Sequence, residues 1–193
     1  MQATSVRLYR TLVPGLTNVT NRLRYFSFYC WAIENYEKTV HSLDSDKWAR
    51  YIRRAEALYA LASIYVDDTT SDGMAGALWA RRCKNNLGDG RFDFRPATDD
   101  KDSKDAYLSA TRGNFGQFYI ASMIEEGMLD SRGVVPIVTD GFGRELAGAF
   151  RDSIGHTVDL MAEAIRSGVV EVDDLETIGE ISHPASIPDK SRE

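Results

Sequence analysis

Large apolar side chains recur along this chain at steps of three and four residues, the spacing that places them on one face of an α-helix. The densest stretch covers residues 25–36, where six of twelve residues are aromatic. It follows a Pro14-Gly15 turn, and Thr20 is the predicted N-terminal cap. This pattern predicts a helix that is buried on most of its circumference and wrapped by other elements.

A second long helix is predicted from a cap at Asp44 or Ser45 to about residue 65. Its apolar face is formed at alternating steps of four and three by Trp48, Ile52, Ala55, Tyr59 and Ala62. Because the connection is short, the two helices are expected to be antiparallel neighbours. A third helix is predicted over residues 74–84, and its buried side is expected to contain Leu78, Trp79 and Cys83.

The rest of the chain mixes short strands with helices. RFDFR, at residues 91–95, predicts a strand with Phe92 and Phe94 inward. A helix over 115–126 ends at Gly127, and the β-branched segment 134–138, which contains a proline, predicts an edge strand or a wing strand. Thr139 is the predicted cap of the next helix, an apolar face continues to Gly168, and a last short helix follows Asp173 or Asp174.

These elements predict a mainly α protein. An aromatic-rich helical bundle is expected over residues 1–97, a helical unit with a small β hairpin over 105–180, and a flexible tail over 181–193. The charged segment at 98–105 separates the two units.

Composition places the chain among soluble globular proteins, with 43% hydrophobic and 27% charged residues. No run approaches the roughly 18 apolar residues of a membrane-spanning helix, and the N-terminal residues do not resemble a secretory signal. Cys30 and Cys83 are far apart in sequence. A cytoplasmic protein with free thiols is therefore predicted.

The formal net charge of −6 is distributed unevenly. Residues 1–64 contain nine Lys/Arg and five Asp/Glu, whereas residues 65–193 contain 14 and 24. A basic first part beside an acidic second part predicts either mutual docking or separate partners. The overall acidity argues against indiscriminate coating of nucleic acid but leaves one local DNA contact open.

Motifs for catalysis or cofactor binding are weak. Gly141-Phe142-Gly143 follows a β-branched segment, but a dinucleotide fingerprint needs a small residue where Leu146 stands. The three histidines are scattered, no CxxC or HExxH spacing occurs, and Cys30 has no adjacent base. We therefore expect no enzyme activity, cofactor or metal.

Five arginines are the candidate contacts with a partner or with nucleic acid. Arg22 and Arg24 fall in the first turn of the aromatic helix, where a cation opposes the helix dipole. Arg50, Arg53 and Arg54 lie towards the side of the second helix that faces away from its apolar stripe. Pairing with acidic residues of the second part of the chain is the structural alternative to a partner contact.

The segment IASMIEEGMLDSRGVVPIVTDGFGRELAGAF, residues 120–150, resembles the later part of winged-helix domains. There a helix ends at a glycine, a wing hairpin follows, and a Thr-capped helix closes the unit. The resemblance covers about residues 105–155 and implies a winged-helix-like C-terminal unit. No Lys or Arg occurs between Phe115 and Leu129, so the resemblance implies protein docking more than DNA reading. An unrelated helix–hairpin–helix core is the alternative.

The segment LVPGLTNVTNRLRYFSFYCWAI, residues 12–33, is similar to the N-terminal helical segment of uncharacterised bacterial proteins from anti-phage and anti-plasmid defence gene clusters. The similarity rests on Pro14-Gly15, a threonine cap, Arg24-Tyr25 and the aromatic run. GNFGQFY, at residues 113–119, also resembles a glycine-aromatic segment of those proteins. It implies an accessory role that depends on partners.

The expected function is therefore that of a non-catalytic accessory subunit of a bacterial anti-phage or anti-plasmid defence complex, working through other protein subunits. No membrane and no small-molecule substrate is expected. The alternative is a DNA-binding winged-helix regulator or a DNA-contacting subunit.

Overall fold

The computed structural model describes residues 23–69 and 74–183. Over these residues the chain is mainly α-helical with two small antiparallel strand pairs, which confirms the predicted mainly α fold with a small hairpin. The helices are α1 (Arg24–Thr39), α2 (Ser45–Val66), α3 (Ala77–Lys84), α4 (Arg95–Thr98), α5 (Ile120–Glu125), α6 (Phe142–Ile154), α7 (Thr157–Ser167) and α8 (Val172–Ser182), and a π-helical turn (Phe115–Tyr119) leads into α5. The strands are β1 (Arg91–Asp93), β2 (Leu129–Asp130), β3 (Ile137–Val138) and β4 (Val169–Glu171).

The aromatic helix α1 is buried on most of its circumference, as predicted. Phe28, Tyr29 and Trp31 are almost completely inaccessible to solvent. The ring of Phe28 stacks on Tyr59 of α2, with centroids 4.4 Å apart, and meets Phe150 of α6 at 5.6 Å. Offset and edge contacts of this kind add to the free energy gained from apolar burial. The side chains of α1 therefore join the two ends of the chain in one core.

Helix pairing crosses the chain from its beginning to its end. α1 packs most extensively on α6, and α2 on α8. α8 comes so close to α2 that a Cβ on Gly179 would lie 2.2 Å from the carbonyl oxygen of Ala62. α1 and α2 also contact each other, but less extensively, so the expected pairing of these sequence neighbours is only a minor part of the packing.

An ionic cluster around the buried carboxylate of Glu34 joins α1 to α6. Glu34 is only 5% exposed, and its carboxylate forms ion pairs with Lys38 at 2.9 Å, with Arg144 at 3.5 Å and with Arg151. Arg144 also lies 3.9 Å from the carboxylate of Glu37. The acids come from the first part of the chain and two of the arginines from the second. In this contact the first part of the chain is therefore negative and the second part positive, whereas the overall charge asymmetry suggests the reverse.

Some local expectations are wrong. Leu78 was expected on the buried side of the third helix, but it is 76% exposed, and only Trp79 of that trio is fully buried. Thr139 does not cap α6, because its hydroxyl donates to the carbonyl oxygen of Gly127 at 2.7 Å while α6 begins after Gly141. The predicted cap Thr20 and most of the predicted tail lie outside the described residues.

The two strand pairs differ in how far apart their strands lie in the sequence. β2 and β3 form the expected hairpin, with Leu129 opposite Val138. β1 is shorter than the predicted strand and pairs with β4, which places Phe92 opposite Val170. Phe94 is buried but already belongs to the turn that opens α4. The pairing of β1 with β4 was not predicted, because neither segment alone indicates a partner almost 80 residues away.

Two glycines of α6 provide a matched test of the contact between this helix and the hairpin. A Cβ on Gly143 would lie 2.3 Å from the carbonyl oxygen of Met128, whereas a Cβ on Gly148 would meet nothing within 4 Å. We expect Gly143→Ala to destabilise the protein by about 1–3 kcal/mol through steric overlap. Gly148→Ala should stabilise it by about 0.5–1 kcal/mol, since alanine is the better helix former.

Urea unfolding monitored by tryptophan fluorescence measures both changes. The expectation is contradicted if the two variants shift the unfolding midpoint in the same direction.

Candidate anion-binding pocket

A cationic pocket lies where the end of α1, the start of α2 and the end of α7 meet. Its volume is about 360 Å³, and four of its eight lining residues are Lys or Arg. None of the eight is an acid. The lining residues are Tyr36, Thr39, Val40, Lys47, Arg50, Tyr51, Arg54 and Arg166.

The start of α2 sets the position of three of these cations. Asp44 caps the helix, as predicted, and its carboxylate accepts hydrogen bonds from the backbone amides of Asp46 at 2.8 Å and Lys47 at 3.0 Å. These bonds lower the pKa of Asp44. Helical steps of three and four then place Lys47, Arg50 and Arg54 along one side of α2. A well-fixed first turn therefore presents a row of positive charge.

Two of the four cations are already neutralised. Arg54 donates to both carboxylate oxygens of Asp99, at 2.8 and 2.5 Å, and to the carbonyl oxygen of Arg166 at 2.9 Å. The guanidinium of Arg166 is paired with Glu163. This arrangement joins α2 to the end of α7.

The other two cations form no ion pair with a described residue. Among the described residues, neither Lys47 nor Arg50 has a carboxylate within ion-pair distance. Lys47 is exposed and Arg50 is half-buried. The pocket therefore contains two cations that form no ion pair with a described residue, and the carboxylate of Asp44 compensates part of their charge from a longer distance.

Two tyrosines form the inner part of the pocket lining. The Tyr36 hydroxyl is buried and makes no hydrogen bond of normal geometry with a described residue. The hydroxyl of Tyr51 accepts a hydrogen bond from the side-chain amide of Asn35 at 2.7 Å. Burial raises the pKa of Tyr36, with a partial opposing effect from Ser42 and Arg50, and burial also raises the pKa of Tyr51. Both hydroxyls are therefore protonated at neutral pH and able to donate.

The predicted contact arginines lie in different places. Arg50 and Arg54 line the pocket together. Arg24 lies elsewhere, with its guanidinium 5.4 Å from the ring centroid of Phe150 and donating to the carbonyl oxygen of Ile181 at 2.8 Å. Arg22 is outside the described residues.

Arg53 is not on an accessible surface. It is only 2% exposed, and its guanidinium donates to the carbonyl oxygens of Thr98, Leu108, Ala110 and Ala97, at 2.7, 2.6, 2.6 and 3.3 Å. These contacts hold the segment between α4 and the π-helical turn. The assignment of Arg53 to a partner-facing surface is therefore corrected: the residue binds the chain itself.

Sequence reasoning identified only two of the seven polar lining residues, Arg50 and Arg54, as candidate contacts. Lys47 could have been found, because it stands three residues before Arg50 on a predicted helix. Tyr36 and Tyr51 belong to aromatic patterns that are typical of a core, and Arg166 is more than 100 residues from the others in sequence. Only the packing of α7 against α2 brings that residue to the pocket.

The two cysteines and the other possible metal ligands bear on whether the chain holds a nucleophilic or a metal site. Burial raises the pKa of the Cys30 thiol to about 12 and that of Cys83 to about 11, so both thiols are protonated at neutral pH. Over residues 23–69 and 74–183, no group of three His, Cys, Asp or Glu side chains could hold a metal ion. In the same part of the chain, no helix combines the length and apolar character needed to cross a membrane.

No family model, no curated protein and no solved structure matches this chain.

Proposed function

We propose that the protein is a non-catalytic accessory subunit that holds an anionic group of its partner in the cationic pocket. The observation that carries this proposal is that Lys47 and Arg50, which form no ion pair with a described residue, lie beside a cavity that no acid lines. The chain as a whole has a net charge of −6, so this pocket is a local exception. A local positive site on an acidic protein orients an anionic partner and speeds its association.

The biological setting is part of the same proposal. The similarity of residues 12–33 to proteins of bacterial defence gene clusters supports membership of an anti-phage or anti-plasmid defence complex. The partner is then another protein subunit of that complex, encoded close to this chain.

Charge reversal in the pocket is the experimental test. The tagged chain is co-expressed with the proteins encoded beside it, and the partner that is retained after affinity purification is quantified. The double variant Lys47→Glu/Arg50→Glu should reduce the retained partner more than tenfold, because it replaces two attractive charges with two repulsive ones. Both residues lie at the surface of α2, so the fold should remain intact.

The matched control reverses two charges that do not line the pocket. Arg82 and Lys104 are both exposed, and Arg82→Glu/Lys104→Glu should leave partner retention unchanged. Equal loss in the two double variants would show an effect of net charge only. A wild-type chain that stays monomeric and retains no neighbour-encoded protein would refute the accessory role.

Contact with DNA is the second candidate function. Lys47 and Arg50 favour it, because two unpaired cations at one exposed helix end can neutralise two phosphates. Binding to a duplex would then weaken with salt, with a slope of log K against log salt concentration of about −2. Wild-type chain that does not bind duplex DNA at low salt would eliminate this candidate.

A further inference from the structure

The charge of the pocket matches a dianion better than a monoanion. Arg54 and Arg166 are paired with Asp99 and Glu163, which leaves Lys47 and Arg50 to be neutralised. A phosphate monoester carries a charge of about −1.5 to −2 at pH 7. One such group would balance the two free cations, whereas a single carboxylate would balance only one.

The buried hydroxyl of Tyr36 points to a ligand on independent grounds. Tyr36 is 2% exposed and lines the pocket, and its buried hydroxyl forms no hydrogen bond of normal geometry with a described residue, although the side chain of Ser42 is close enough to lower its pKa in part. A buried polar group of this kind destabilises a protein unless something accepts its hydrogen. An anionic oxygen in the pocket would accept it.

Tyr51 provides a second donor beside the first. Its ring meets that of Tyr36 in an edge contact, with centroids 5.1 Å apart. Since the Tyr51 oxygen accepts from Asn35, the hydroxyl hydrogen is left to donate in another direction. Two hydroxyls and two cations, one group from α1 and three from α2, suit an acceptor with several oxygens, and a phosphate monoester has three terminal ones.

From these observations we propose that the cationic pocket binds a phosphate monoester group. The inference rests on the proposed function, since it names the anionic group that this pocket would hold. The pocket volume of about 360 Å³ lies at the small end of ligand sites, which range from about 300 to 1,000 Å³. It therefore accommodates the phosphate together with a small part of the molecule that carries it.

Isothermal titration calorimetry on the full chain tests this inference with four probes. They are inorganic phosphate, a nucleoside 5′-monophosphate, a phosphoserine peptide and succinate, a dianion without phosphate. The phosphate-bearing probes should bind, and succinate should bind at least about tenfold more weakly, since its two charges are separated. Tighter binding of the nucleotide or of the peptide upholds the inference and identifies the source of the phosphate.

Tyr36→Phe is the decisive variant. It removes a hydroxyl that forms no hydrogen bond of normal geometry with a described residue, so the unfolding midpoint should change little or rise, while affinity for phosphate should fall about tenfold. Tyr107→Phe is the matched control, because the Tyr107 hydroxyl is also buried without a partner but lies outside the pocket lining. It should leave phosphate binding unchanged.

The outcomes separate this inference from the proposed function. Succinate binding as tight as phosphate, or a Tyr36→Phe variant with unchanged phosphate affinity, would overturn the phosphate assignment. Absence of binding by every phosphate-bearing probe would do the same. In each case a complex that is still broken by Lys47→Glu/Arg50→Glu would leave the accessory role in place.

Discussion

Replacement of Arg53 by methionine is expected to lower the free energy of unfolding by about 3–5 kcal/mol, because several charge-assisted hydrogen bonds to backbone carbonyl oxygens are lost at a buried site. The guanidinium donates to carbonyl oxygens of Thr98, Leu108 and Ala110, and these would lose their donor in a buried place. Arg53 also opposes part of the rise in the pKa of Glu56, so its loss leaves a buried carboxylate less compensated.

Two further variants separate the causes of this loss. Arg53→Lys keeps a positive charge near Glu56 but lacks the planar fork that reaches several carbonyls, so its stability should lie between those of the wild type and of Arg53→Met. Arg50→Met, one turn earlier on the same helix, should change stability by about 0.5 kcal/mol or less. Urea unfolding measures all three. An Arg53→Met variant as stable as Arg50→Met would contradict the structural role of Arg53.

The second large effect concerns Glu56 and pH. The Glu56 carboxylate is buried and accepts hydrogen bonds from the Tyr29 hydroxyl at 2.8 Å and from the amides of Asn114 and Phe115 at 3.0 and 2.6 Å. It thereby fixes the start of the π-helical turn. Burial raises the pKa of Glu56 from 4.5 to about 7, and the donated hydrogen bonds and Arg53 oppose part of that rise.

The sign of the pH dependence follows from this raised pKa. The folded protein holds the Glu56 proton up to about pH 7, whereas the unfolded chain releases it near pH 4.5. Stability from this group is therefore fully present below about pH 4.5 and is lost as the pH rises to 7. The free energy of unfolding should fall across this range by up to about 3 kcal/mol.

Glu56→Gln removes this titration while preserving the shape of the side chain. Its altered hydrogen bonds can shift stability at every pH, so the quantity to compare is the change in unfolding free energy between pH 5 and pH 8. That change should be markedly smaller in Glu56→Gln than in the wild type. Glu37, whose pKa is also raised mainly by burial, contributes equally to both proteins and cancels in the comparison. Parallel pH profiles would contradict the titration of Glu56.

Local patterns allowed the two long helices to be predicted well. The Asp44 cap and the end of α2 near residue 65 follow from residues within a few positions of each other. The same is true of Gly168, whose left-handed backbone ends α7 as expected. The assignment of Leu78 failed because α3 has only eight residues, and so short a helix leaves its buried side poorly defined by periodicity.

The candidate site could be predicted only in part. Arg50, Arg53 and Arg54 were chosen because they are basic and share a helix, and that criterion does not distinguish their surroundings. The structure directs Arg53 to buried carbonyls, Arg54 to Asp99 and Arg50 to the pocket. The segments that pack against α2 come from elsewhere in the chain. They decide which of the three neighbouring arginines finds a partner and which does not.

The sequence alone determined the helical character of this protein, the burial of its aromatic helix and the first turn that fixes Lys47 and Arg50. Each of these follows from side-chain periodicity or capping within one segment. Only the tertiary structure decided that α1 packs on α6, that β1 pairs with β4, and that Arg166 joins the pocket. These contacts connect residues that are far apart in sequence, and they are selected by the combined fit of the whole core, which no single segment encodes.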